Sequence, residues 1–182
     1  MVVVAVGEIG DKTQLLALLL AARFRRSVPI VAGILAATLL NHVLAGLLGG
    51  WIRSVVDPQV LRWVLGLSFL AIAVWAIKPD EVDDKEPQPL SQYGVFAFTF
   101  IAFFLAEIGD KTQLATVALA ARFNNLFAVV SGTTFGMLIA DVPAVLLGGR
   151  ASLKIPFKAI RYVAAALFAG VGIAILAGIS PN

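Results

Sequence analysis

The chain contains no cysteine among its 182 residues. That excludes disulfides, thiolate metal sites and a cysteine nucleophile, and it leaves the compartment open. Charge is also scarce. Only 14% of residues are charged, and they cluster between apolar runs, whereas a soluble domain scatters them over its surface. Also missing are a nucleophile–base constellation, a nucleotide-binding loop and an HExxH pattern, so an enzyme is not expected. The net charge is +3, but no basic stripe interleaves with aromatics, and nucleic acid is not an expected partner. The basic residues flank apolar segments, where membrane topology accounts for them.

What the chain has in excess is hydrophobic residues, at 60%. Soluble domains sit near half. The bilayer is the expected solvent, and a span needs about 20 predominantly apolar residues. Six stretches qualify, near 1–22, 28–50, 59–78, 93–121, 126–149 and 157–179. Turn and charge signals separate them: Arg25-Arg26-Ser27, Asp57-Pro58, the 79–92 segment, Asn124-Asn125 and Lys154-Ile155-Pro156. The first stretch lacks a positive n-region and carries Glu8, Asp11 and Lys12, so it reads as a retained span rather than a cleaved signal peptide.

Positive charge sets the expected orientation. Arg23, Arg25, Arg26, Lys78, Lys85, Arg150, Lys154, Lys158 and Arg161 fall on one side, and Arg53, Arg62 and Arg122 on the other. The first set is expected in the cytoplasm, with both termini outside and the acidic, proline-rich 79–92 linker inside. Trp51, Trp63 and Trp75 lie near span ends, where aromatic residues favour the interface.

The strongest signal is self-similarity. Residues 8–15 read EIGDKTQL, and residues 107–114 repeat it. At the same offset Ala21-Ala22-Arg23-Phe24 answers to Ala120-Ala121-Arg122-Phe123, and Leu47-Leu48-Gly49-Gly50 to Leu146-Leu147-Gly148-Gly149. Gly33 answers to Gly132, and Arg62 to Arg161. This is a duplication. The first repeat occupies 1–78 and the second 93–182, each with three expected spans. An odd number turns the second half over. The expected fold is therefore an all-α membrane protein of six helices in two inverted repeats, with a site near the midplane and alternating access. The first copy begins only seven residues before Glu8, which predicts a short first span or native residues ahead of Met1.

Glu8, Asp11 and Lys12 stand at i, i+3 and i+4, as do Glu107, Asp110 and Lys111. On a continuous helix each trio shares one face. Each ionisable group at the bilayer centre costs at least about 2.5–3.5 kcal/mol on insertion scales, so six of them imply a pairing scheme and a use. Each motif nets −1, and the two together net −2, which a divalent cation neutralises. Carboxylate and amide oxygens suit hard ions. The expected ligands are Glu8, Asp11, Glu107 and Asp110, with amide oxygens from Gln14 and Gln113. Lys12 and Lys111 read as charge-balancing, because an ammonium cannot ligate a cation. Thr13 and Thr112 point elsewhere on an ideal helix, unless it unwinds at Gly7, Gly10 and Gly109. Without metal the acids repel one another and are poorly solvated, so some take up protons. A site holding either protons or metal is a minimal antiporter.

Other polar residues fall inside spans: Asn41 and His42 in the second, Asp141 in the fifth. His42 corresponds to Asp141 at the repeat offset, which breaks the symmetry where a proton relay can sit. His42 itself reads as a packing residue rather than a ligand. Asp141 precedes Val142-Pro143, and the proline frees backbone carbonyls nearby. The bland alternative makes Glu8–Lys12 and Glu107–Lys111 intrahelical ion pairs that lock packing. Two copies, each with Asp, Gly and Gln, weigh against it.

The doubled Glu-x-Gly-Asp-Lys-Thr pattern, one copy in each half, resembles the GDT family of membrane cation transporters over essentially the whole chain. The resemblance implies a manganese or calcium/proton antiporter with Glu8, Asp11, Glu107 and Asp110 at the cation site. The compact length resembles bacterial members that export manganese from the cytoplasm across the plasma (inner) membrane. No cofactor is implied; Mn2+ or Ca2+ is cargo, and the protein works as a monomer or homodimer. Competing classes are an exporter of small organic solutes such as amino acids, with a roomier cavity, a non-transporting scaffold, and a channel with an acidic ring.

Overall fold

The computed structural model describes residues 2–78, 94–147 and 157–179. The 79–92 linker, Gly148, Gly149, Arg150 and Lys154 lie outside the described residues. Among the described residues eight helices follow in order: α1 (Val2–Glu8), α2 (Lys12–Phe24), α3 (Ser27–Val55), α4 (Pro58–Ile77), α5 (Val95–Glu107), α6 (Lys111–Arg122), α7 (Leu126–Leu147) and α8 (Phe157–Leu176). No strand occurs among the described residues. Helices α3, α4, α7 and α8 are long and apolar enough to cross a membrane, and α5 is a shorter apolar helix.

Within the stretches 1–22 and 93–121 the structure has two helices each, broken at two of the glycines, Gly10 and Gly109, where the sequence allows unwinding. Gly10 and Gly109 adopt φ of 82° and 75°, a left-handed conformation that ends a helix and that only glycine enters without penalty. Asp11 and Asp110 then adopt extended backbone and cap the next helix, so Glu8 and Asp11 do not share a continuous helical face. Helix α1 has seven described residues and α5 thirteen.

Local chemistry sets the other ends. Asp57 caps α4 by accepting from Gln59 N at 2.8 Å and Val60 N at 3.3 Å, with Pro58 at the first helical position, where its missing N–H costs nothing. Asn125 Oδ1 accepts from Ala128 N at 2.9 Å as α7 starts. Arg25, at φ 52°, closes α2 by donating its N–H to Ala21 O.

One apolar cluster joins α4, α8 and α6 around Phe69 and Phe168, stacked with centroids 6.4 Å apart. A second joins α2, α3, α5 and α7 around Leu20, Ile34, Phe103 and Val145. Helix α3 packs on α5, α6 and α7, and α4 on α8. A Cβ on Gly49 of α3 would collide with Val117 O and Ala120 of α6, so this glycine lets the two backbones approach closely. Leucine, valine and tryptophan side chains such as Leu44, Leu47, Trp51, Trp63 and Leu67 are exposed. Such an apolar exterior on long apolar helices faces lipid.

Candidate cation site

The two helix breaks place the duplicated motifs against each other. In each copy the aspartate N–H donates to the glutamate carbonyl, Asp11 to Glu8 at 3.0 Å and Asp110 to Glu107 at 3.1 Å. Asp11 Oδ1 accepts from Lys12 N at 2.8 Å, and Asp110 Oδ2 accepts from Thr112 N at 3.4 Å and Thr112 Oγ1 at 3.1 Å. Both carboxylates thus sit at helix N-termini, where the peptide dipoles favour negative charge.

Gln14 Oε1 accepts from Gly10 N at 2.8 Å, and Gln113 Oε1 from Gly109 N at 2.8 Å. These amide oxygens brace the broken turns. The Gln14 amide donates to Ala140 O at 3.0 Å. Pro143 lies inside α7 and, lacking an N–H, leaves the neighbouring Ile139 carbonyl without its helical donor. The Gln113 amide is 3.5 Å from Asn41 Oδ1.

The lysines pair across the repeat. Lys111 Nζ lies 3.0 Å from Asp11 Oδ1, and Lys12 Nζ lies 3.4 Å from Asp110 Oδ1. Each of these pairs joins the lysine of one motif to the aspartate of the other, across the repeat rather than along one helix.

Glu8, Asp11 and Asp110 each offer a carboxylate oxygen within 4.8 Å of the others, and all three residues are buried. Glu8 Oε2 accepts from Thr13 Oγ1 at 2.6 Å, while Glu8 Oε1 has no hydrogen-bond partner among the described residues. Glu107 is held apart from this trio. Its two oxygens accept from Thr38 Oγ1 at 2.8 Å and Asn41 Nδ2 at 3.2 Å. Asn41 also donates to Phe104 O at 3.2 Å. Asp141 is fully buried, and neither carboxylate oxygen has a hydrogen-bond partner among the described residues. It is close enough to Glu107 and Asp11 for their charges to interact. His42 Nδ1 is 3.2 Å from Thr134 Oγ1, and Nε2 is without a partner among the described residues.

Five buried carboxyl groups therefore face two ammonium groups. An oxygen-rich, net acidic pocket of this kind has the chemistry that suits a hard cation. Sequence reasoning missed Thr38 and Thr134. Thr38, Asn41 and His42 stand at i, i+3 and i+4 on an otherwise apolar helix, a spacing that puts them on one face.

The chain matches the family described as "Divalent cation/proton antiporter GDT1" over residues 1–84 and 95–181. It is 51% identical over 166 residues to the "Putative manganese exporter" of Vibrio cholerae serotype O1, covering 91% of this chain and 82% of that one. It is 30% identical over 191 residues to "GDT1-like protein sll0615" of Synechocystis sp., covering 92% and 90%. It is also 30% identical over 193 residues to "GDT1-like protein 3" of Oryza sativa subsp. indica, covering 92% and 68%. No solved structure matches the chain. The chain belongs to the GDT1 family, and it is an integral membrane transporter of divalent cations rather than an enzyme.

Proposed function

We propose that this protein exports divalent cations, manganese foremost, from the cytoplasm across the bacterial inner membrane in exchange for protons. The observation that carries the reading is the trio Glu8, Asp11 and Asp110, drawn from both motifs and buried within ligand distance of one ion. Glu107 and Asp141 stand behind it, and we assign them to proton coupling. Beside Asp11 and Lys111 is a void of about 10 Å³, about room for one water.

In this reading α1–α2 and α5–α6 are each one broken crossing, which gives six crossings in two inverted halves with both termini outside. Broken helices at a midplane site are the usual construction of inverted-repeat carriers. The termini of α1 and α6 then share the outer half of the membrane, and α2 and α5 the inner half. Packing is unequal between the halves. Helix α4 packs on α6 and α8 packs on α1, whereas α4 with α5 and α8 with α2 make at most fringe contact. Among the described residues the α4/α8 pair thus rests on the outer half rather than the inner. The void beside Asp11 is lined by Ala76, Arg161 and Ala164, from the ends of α4 and α8 that face the cytoplasm in this topology. Alternating access would then move this pair between the outer helices α1 and α6 and the inner helices α2 and α5.

The test is manganese uptake into proteoliposomes under an imposed pH gradient, with calcium and an amino acid in parallel. Gradient-driven manganese movement lost in Glu8→Gln and Asp110→Asn is the expected result. Movement indifferent to the gradient would point to another coupling ion or a channel. Unchanged movement in both variants would remove the motifs from the site.

A further inference from the structure

Two cavities away from the motifs share a wall. The first, about 360 Å³, lies at one end of the helix bundle and is lined by Arg53, Arg62 and Arg122 together with Leu61, Leu65 and Ile175. The second, about 300 Å³, runs between α4 and α6 and is lined by apolar residues including Ile72, Trp75, Leu114 and Val117. Leu65 and Ala121 line both cavities, so the basic mouth and the apolar slot lie side by side.

The mouth contains three guanidinium groups; Arg122 is already engaged, and Arg53 and Arg62 have no ion pair among the described residues. The nearest acid in sequence, Asp57, is engaged with Gln59 N and Val60 N. The Arg62 guanidinium lies over the Trp63 ring at 6.0 Å, and a Cβ on Gly178 would meet its Nη1 at 3.5 Å. Residue 178 is glycine at φ 72°, so at this position the backbone passes the arginine without a side chain of its own in the mouth. Arginine clusters recognise phosphate through fork-like paired donors. The slot beside the mouth offers Leu, Ile, Val and Trp carbon, which suits a hydrocarbon chain and not a hydrated anion.

We infer that this paired cavity is a binding site for one anionic phospholipid, with its phosphate headgroup at Arg53, Arg62 and Arg122 and one acyl chain lying between α4 and α6. Basic pockets between membrane helices hold anionic headgroups in this way. The occupant is wedged in the α4–α6 seam, so its binding favours the arrangement in which α4 rests on α6. The site is independent of the cation ligands.

The experiment uses the full chain carrying Trp51→Phe and Trp63→Phe, which leaves Trp75 as its one tryptophan. The protein is reconstituted in phosphatidylcholine vesicles doped with acyl-brominated phosphatidylglycerol, a quencher of tryptophan fluorescence. Quenching is expected to half-saturate at a low mole fraction of the anionic lipid. Each arginine removed should raise that fraction about five-fold, as expected for one surface cation on an anionic lipid. Arg53→Gln with Arg62→Gln reads this loss, and Arg53→Lys with Arg62→Lys should restore most of it. A poorly folded glutamine variant would leave the comparison of brominated phosphatidylglycerol with brominated phosphatidylcholine on the parent protein. Equal quenching by both lipids would overturn the proposal, as would an unchanged half-point in a folded glutamine variant. Displacement of the quencher by millimolar inorganic phosphate would assign the mouth to a free anion instead.

Discussion

Lys111 Nζ lies 3.0 Å from Asp11 Oδ1, so the ammonium of the second motif neutralises the aspartate of the first. The reciprocal contact, Lys12 to Asp110, is longer at 3.4 Å, and the Lys12 side chain is 32% exposed against 5% for Lys111. Removing one partner of a buried pair leaves an uncompensated charge and costs about 3–5 kcal/mol, whereas water screens a partly exposed pair. Lys111→Met is therefore expected to lower the unfolding midpoint in detergent far more than Lys12→Met. Equal losses would show that the two pairs are energetically alike.

The carboxylates differ in their partners, and their substitutions should separate accordingly. Glu8, Asp11 and Asp110 converge, while both oxygens of Glu107 are held by Thr38 and Asn41. Glu8→Gln is expected to weaken manganese binding by at least about ten-fold, the scale of losses around metal sites. Glu107→Gln should leave equilibrium binding closer to wild type and slow transport instead. Titration calorimetry beside flux measurements checks the split, and a matching loss of affinity in both would place Glu107 on the metal.

Gly109 has open space where a Cβ would stand, so its constraint is the φ of 75° alone. A left-handed backbone costs an L-residue about 1–2 kcal/mol, and asparagine enters it more readily than alanine. Gly109→Ala should destabilise by about that amount, and Gly109→Asn by less. Thermal unfolding of the two variants reads the order directly. The reverse order would mean that a steric clash, not the dihedral angle, rules this position.

Charge counting bears on stoichiometry. Five buried carboxyl groups against two lysines leave three negative charges when all are ionised. One divalent ion with one proton neutralises them, and so do three protons. Exchange of one metal ion for two protons keeps the site neutral throughout, which low-dielectric surroundings favour. Manganese flux driven by a pH gradient should then be indifferent to an imposed potassium–valinomycin potential. A flux that follows the potential would require a different ratio.

Much of this was legible beforehand. The duplication, the apolar stretches and the acidic residues of the site follow from reading the chain against itself. Unwinding at Gly10 and Gly109 is legible as an alternative to a continuous helix, but the i, i+3, i+4 spacing of Glu8, Asp11 and Lys12 fits one face equally well, so spacing alone does not choose between them. The signal against continuity was present: glycine followed by Asp-Lys-Thr-Gln is a helix stop and then a start, with an N-cap and a glutamine three residues on. Gln14 and Gln113 accordingly hold the backbone of Gly10 and Gly109. Once the helix breaks, each lysine turns to the opposite motif, a partner that spacing along the chain cannot indicate. Thr38 escaped notice because threonine is common on apolar helices, and its role depends on which glutamate arrives from α5.

The crossed lysine–aspartate pairs also bear on biogenesis. While the ribosome has delivered only the first half, Asp11 and Lys12 have entered the bilayer without the residues that neutralise them. Neither half can be a finished folding unit in lipid. Insertion must tolerate an incompletely paired first motif until α6 emerges, through access to water, to the insertion machinery or to another chain. A truncated product ending in the linker should consequently be a substrate for membrane quality control rather than a stable half-transporter.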